Sequence, residues 1–206
     1  MLNVAVVYYS STGNVHRLAD AAAVSARKTG ADVRLRRVAE VFPQSQVEAG
    51  NDAWAAHLEA TRDVPLAALD DLEWADAILF GTPTRFGLPA AQLKQFLDTT
   101  VGLSLQGKLV NKVVSSFTST AAGHSGQEST ILALNNTYYH WGAIIVPTGA
   151  TDPVLTTPGN GNPYGVSSVS GNQPGNVSEE NLAAMEFQAR RVAAIAAALK
   201  RGFQAA

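Results

Sequence analysis

The chain has no cysteine. That excludes disulfides, thiolate metal sites, iron–sulfur clusters and a cysteine nucleophile. Charge is also sparse: 16% of the 206 residues are charged, and the net charge is −2. No basic footprint points to nucleic acid. The lightly charged surface leaves room for subunit contacts. No apolar run approaches the roughly 20 residues needed to cross a bilayer, so membrane insertion is not expected. The four histidines, His16, His57, His124 and His140, show no metal-ligand spacing, and no metal is expected. Two common phosphate-binding signatures are missing as well. There is no G-x-x-x-x-G-K-[ST] and no G-x-G-x-x-G, which argues against a nucleoside-triphosphate loop and against a Rossmann turn. No charged segment precedes the first apolar run, so a cytoplasmic location is the expectation.

What is present starts at residues 3–15, NVAVVYYSSTGNV. Val4 to Tyr9 form an apolar run rich in β-branched and aromatic residues, as in a strand buried on both faces. The run stops at Ser10, Ser11, Thr12, Gly13 and Asn14. A helical pattern then begins, with Val15, Leu18, Ala19, Ala22 and Ala23 on one face. Strand, hydroxyl-rich turn and helix start make a ready anion site, because the first N–H groups of a helix are unpaired and carry partial positive charge. A plain capped helix start is the alternative, since Ser, Thr and Asn are the usual caps.

The rest of the chain alternates strand and helix patterns. Strands are predicted near residues 3–9, 32–38, 76–81, 112–117 and 143–146, the second half-exposed and near a sheet edge. Turns are predicted at 82–87 (TPTRFG) and 118–126, with Pro89 opening a helix over 90–99. Further helices are expected over 127–140 and from Glu179 onward, where Leu182, Met185, Val192 and Ile195 form the covering face. Residues 40–65 read as a surface insertion with a short helix over 52–60. Trp54 and His57 are expected to pack locally there. Residues 148–176 are crowded with Gly, Pro, Asn, Ser and Thr, and read as disordered or as a functional loop over a site. No linker divides the chain, so residues 1–206 are expected to form one domain with these two additions.

The pattern implies an α/β fold, a doubly wound five-stranded parallel sheet with helices on both faces. In the order 2-1-3-4-5, the turns at Ser10 and Thr82 face each other across the point where strand order reverses, and the turn at Thr118 lies beside them. The first can hold a phosphate and the others can embrace a flat ring. The alternative is that all three are ordinary connections with turn chemistry.

The turn at 10–14 resembles the phosphate loop of flavodoxin-like proteins. Residues 81–87, GTPTRFG, resemble the ring-binding motif of the WrbA family, tetrameric FMN-dependent NAD(P)H:quinone oxidoreductases. Residues 8–14 (YYSSTGN), 95–98 (QFLD), 126–128 (GQE) with Thr130, 145–147 (IVP) and 162–165 (NPYG) are similar to the same family, in the same order. The resemblance implies a flavodoxin-like fold, FMN as cofactor, NADH or NADPH as electron donor, a quinone as acceptor and a homotetramer (or dimer). It implies that Ser10, Ser11, Thr12, Gly13, Asn14 and Val15 bind the FMN phosphate. Pro83, Thr84, Arg85, Phe86 and Gly87 would contact the ring. Thr118, Ser119, Thr120, Ala121, Ala122 and Gly123 would run along the ring and its side chain. His140 is the candidate for a proton donor or ring contact. Thr12 and Ser104 stand where relatives carry pocket aromatics, on the nicotinamide and quinone sides respectively. Ala121-Ala122 replaces a glycine-rich pair. Two other readings stay open: a flavodoxin-like electron carrier, and a scaffold that has lost its flavin.

Overall fold

Val4 to Tyr9 are all buried, as an apolar run in the centre of a parallel sheet requires. All but Tyr9 belong to β1 (Asn3–Tyr8), the first of seven strands in the computed structural model, which describes residues 1–205. The chain continues through α1 (Asn14–Lys28), β2 (Asp32–Arg37), α2 (Gln44–Gly50), α3 (Asp52–Ala60) and α4 (Leu69–Trp74). Then come β3 (Ala77–Arg85), β4 (Leu88–Pro89), α5 (Ala91–Asp98), α6 (Val101–Leu105) and β5 (Val113–Thr120). Last are α7 (Gln127–Trp141), β6 (Ile144–Ile145), a 3₁₀ turn (Pro153–Thr156), β7 (Ser167–Val169) and α8 (Glu179–Ala205).

The sheet order is β2-β1-β3-β5-β6, all parallel. This is the expected five-stranded arrangement, with its order reversing between β1 and β3. One side is covered by α1 and α8, whose Leu18, Ala22, Met185 and Val192 pack on Val4, Val6 and Leu79. On the other side Leu72, Leu93, Leu97, Leu134 and Tyr138, from α4, α5 and α7, pack on Val7, Ile78 and Phe80. No helix among the described residues is long and apolar enough to cross a membrane.

Three expectations need correction. Residues 82–85 are strand, and so are 118–120: β3 and β5 run on together past the end of β1, pairing Thr82 with Thr118 and Pro83 with Ser119. Their hydroxyls suggested turns, but threonine is β-branched and suits a paired strand. Pro83 is tolerated because it faces the side where β1 has ended. Gly81, two residues earlier, accepts there from the Tyr9 N–H, the last such bond from that side. The turn shrinks to Phe86 and Gly87, both left-handed with φ of 54° and 78°. They close a tight hairpin into β4, so Pro89 ends a strand and does not open the helix.

Second, β6 is two half-buried residues long. It pairs only with Val113 and Val114 at the start of β5. The outer edge at the other end of β5 is taken by β7, which pairs Ser167 to Val169 with Thr118 to Thr120. The glycine-rich segment therefore supplies a strand that prolongs the sheet beside the site. Third, the 40–65 segment carries two helices, α2 as well as the expected α3. Glu40 ties α3 to the body through Trp54. Its carboxylate accepts from Tyr9 Oη (2.7 Å), Trp54 Nε1 (3.1 Å) and Gln92 Nε2 (2.6 Å), and from the Val41 and Phe42 N–H groups. Burial pushes its pKa up, but these hydrogen bonds outweigh that and hold it below the ordinary carboxylate value.

Candidate functional site

The turn after β1 is shaped by its own atoms. Ser10 Oγ accepts from the Gly13 N–H (3.1 Å), and Gly13 adopts φ 92°, a conformation that side chains with a Cβ rarely take. A helix starts immediately, with no acidic residue in its first turn. Among the described residues, the N–H groups of Ser11, Thr12, Asn14 and Val15 have no protein acceptor. Four free donors at a helix N-terminus, with no carboxylate to compete, are a fit for a phosphate.

A cavity of about 450 Å³ opens in front of these donors. That volume suits a small-molecule ligand. The turn after β1 lines one end through Ser10, Ser11, Thr12, Asn14 and Val15, and β3 lines another part through Pro83, Thr84 and Arg85. Ser119 and Thr120 of β5, with Ala121, supply a third wall. The three segments singled out in the sequence do converge. Arg85 spans two of them: its Nη2 donates to Ser11 Oγ (3.0 Å) and its Nη1 to the Thr84 carbonyl (3.0 Å). Thr84 in turn donates to the Gly126 carbonyl and shares a hydrogen bond with Thr130, which fixes the end of β3 against the start of α7.

Other expected residues lie elsewhere. Thr118 is fully buried, and its hydroxyl donates across the sheet to the Thr82 carbonyl (2.7 Å). Gly13 shapes the turn without lining the cavity, and Ala122, Gly123 and Gly87 lie outside its lining. Phe86 projects wholly into solvent from the hairpin tip, with a relative exposure of 102%. Ser104 sits on α6, outside the lining. His140 is exposed in the last turn of α7. Thirteen residues separate it from the helix start beside the site, about 20 Å along a helix. Neither His140 nor Ser104 belongs to this chain's cavity.

Three lining residues were not anticipated: Asn51, Ser170 and Asn172. Asn51 caps α3, accepting from the Ala53 N–H (2.8 Å). Ser170 and Asn172 follow β7. All come from the two irregular segments, where no periodicity fixes a position. The only signal was the excess of Asn, Ser and Gly, which marks turns as readily as sites.

The same two segments grip the turn after β1. A Cβ on Gly13 would stand 3.6 Å from both Gly175 backbone atoms and His57 Nδ1. The His57 ring lies 5.4 Å from that of His16 in the first turn of α1, and His16 Nδ1 is 2.6 Å from Tyr8 Oη. Burial, helped by the positive charge of neighbouring His16 and Arg37, pushes the pKa of His57 down to about 4. Burial also lowers that of His16, against the opposing pull of Asp20. His57 therefore packs on the turn as an uncharged group at pH 7.

Comparison with known proteins places this architecture. The family described as NADPH-dependent FMN reductase matches residues 2–151. A Deinococcus radiodurans protein named NAD(P)H dehydrogenase (quinone) is 45% identical, over 96% of this chain and 97% of that protein. One of the same name from Geobacter sulfurreducens is 43% identical, over 96% and 99%. Among solved structures, a flavodoxin, WrbA-like protein from Agrobacterium tumefaciens has a TM-score of 0.65 at 25% identity, covering 95% of this chain and 98% of that one. An archaeal flavodoxin shares the fold, with a TM-score of 0.60 at 16% identity. The chain belongs to the NADPH-dependent FMN reductase family and is WrbA-like within it.

Proposed function

We propose that this protein is an FMN-dependent NAD(P)H:quinone oxidoreductase. The observation that carries the reading is the set of four free N–H donors at the start of α1. They face a hydroxyl-lined cavity that contains one guanidinium and no carboxylate. The donor set fits a phosphate, and the neutral walls fit a flat, polar-edged ring. When bound, FMN supplies two-electron hydride chemistry between a reduced nicotinamide and a quinone. The chain's own groups bind and orient. The N–H groups of Ser11, Thr12, Asn14 and Val15 hold the phosphate. Pro83 forms an apolar wall, and Ser119 and Thr120 offer hydroxyls along the side. Arg85, which lines the cavity, would supply the positive charge that favours the reduced ring. No side chain needs to act as a nucleophile.

The relatives' shared name favours this reading over an electron carrier. We further read the whole chain as one domain, since all seven strands join one sheet, and place it in the cytoplasm. We infer a homotetramer (or dimer). Exposed Leu88, Val101, Leu105 and Tyr139 lie on β4, α6 and α7, on or beside the helical layer opposite α1 and α8, where a second copy could cover them.

The test is spectroscopic. Purified protein incubated with FMN and freed of excess should keep the visible bands of bound flavin. NADH or NADPH should bleach them, and a quinone should restore them. A protein that retains no flavin contradicts the reading. One that keeps flavin but never bleaches is a carrier.

A further inference from the structure

Asn14 faces the cavity, yet its side chain is fully engaged by protein. It is buried, with 7% exposure. Its Nδ2 donates to the carbonyls of Gln173 (2.9 Å) and Asn176 (3.1 Å), and its Oδ1 accepts from Thr12 Oγ1 (2.9 Å). Two carbonyls can only accept, so the network itself fixes which end of the amide carries the hydrogens. Both amide hydrogens are spent, leaving the side chain no donor for a phosphate.

Both acceptors of the Asn14 amide lie in one segment, residues 170–177. The Gly175 N–H donates to the Thr12 carbonyl (2.8 Å), and Arg17 donates back to the Gly175 carbonyl (2.8 Å). At its other end the segment is sewn to β5: the Ser170 N–H donates to the Thr120 carbonyl (2.8 Å) and the Gly171 N–H to that of Ala121 (3.1 Å). Gly175, at φ 63°, makes the bend that brings the segment under Gly13. One stretch of chain thus ties the phosphate turn to the ring-side strand.

We propose that residues 170–177 are a strap that holds the phosphate turn in its binding shape, and that Asn14 is the positioning residue through which it acts. The proposal rests on the FMN reading of the site. The strap preorganises the turn, so the cost of ordering it does not fall on the ligand. Asn14 contributes to phosphate affinity without its side chain touching the phosphate.

The experiment combines affinity with protease access. FMN and riboflavin are titrated against the wild-type protein, Asn14→Ala, Gly175→Pro and the double variant, following flavin fluorescence. Gly175→Pro removes the N–H bonded to Thr12 and forbids the left-handed bend. Each single variant should lose about tenfold in FMN affinity, with riboflavin changed less than threefold. The double variant should be no worse than about threefold beyond either single, because both cut one linkage. Without flavin, proteinase K should cut within 170–177 faster in Asn14→Ala than in wild type.

Additive losses in the double variant would mean that Asn14 contacts FMN itself, and would overturn the strap. Unchanged FMN affinity in either single variant, or unchanged cleavage, would overturn it too. Should Asn14→Ala fail to fold, Asn176→Ala serves in its place. It removes the 2.9 Å bond from Asn176 Nδ2 to the Ser170 carbonyl, inside the strap. A wild-type protein that binds neither flavin overturns the FMN reading instead, and the cleavage result then judges the strap separately.

Discussion

At one end of the cavity, Gly13 is packed between Gly175 and His57, and Asn14 and Arg17 are bonded into the strap. At the other end, Arg85 is exposed and Phe86 stands free at a hairpin tip. The two ends follow different physical demands. A cofactor's phosphate is held once and kept, so its turn gains from rigidity. The ring end must admit a reduced nicotinamide and then a quinone, so it gains from open access and from a charge that can adjust. The fold meets both demands by spending its two irregular segments on the phosphate end. That leaves the ring end to the extended strands β3 and β5 and the open hairpin after β3.

Breaking the rigid end should have the largest effect. Gly13→Val puts a β-branched side chain at φ 92°, with contacts on both sides. Strain of about 1–3 kcal/mol should appear as a 10- to 100-fold loss of FMN affinity, measured by fluorescence titration. At the ring end, Arg85→Gln should lower kcat/KM for a quinone by about tenfold, the worth of one charge-assisted hydrogen bond. FMN affinity should change less than threefold. If both fall together, the two ends are not separate.

The pH dependence sharpens the same contrast. The pKa of His57 is about 4 in the folded protein, against an ordinary 6.5. Between those values the unfolded chain takes up a proton that the folded one refuses, so stability is full above pH 6.5 and is lost as pH falls toward 4. Thermal melts should show Tm falling over that window. His57→Leu should flatten the slope, and His16, lowered in the same direction, should account for what remains. The smallest effect belongs to Phe86. A bulky residue at φ 54° is strained, so Phe86→Asn should raise stability by about 0.5–1 kcal/mol in a denaturant melt. A fall in quinone turnover in the same variant would show that the strain is kept for the ring end.

The contrast also explains what the sequence showed and what it hid. β1, α1 and the turn between them were legible because an unbroken apolar run, a polar stop and a 3.6-residue period coincide in one short stretch. The parallel five-stranded sheet followed from that alternation, and its order from the flavodoxin-like resemblance. The ends of β3 and β5 were misread because threonine and serine mark turns and half-buried strands alike, and only pairing between Thr82 and Thr118 decides. Asn51, Ser170 and Asn172 were hidden because a cavity wall assembled from distant parts of the chain leaves no local pattern. His140 was proposed from resemblance. The helix that carries it runs away from the site, which no reading of residue types reveals.

The central claim is that a preorganised anion site built on backbone N–H groups dominates flavin binding. The most direct measurement is the ratio of Kd for riboflavin to Kd for FMN on the wild-type protein, by calorimetry at constant ionic strength. Several charge-assisted hydrogen bonds to the phosphate, each worth about 1.5–3 kcal/mol, predict a ratio of at least a hundredfold. Equal affinities would show that the turn after β1 is only a helix start, and would contradict the account.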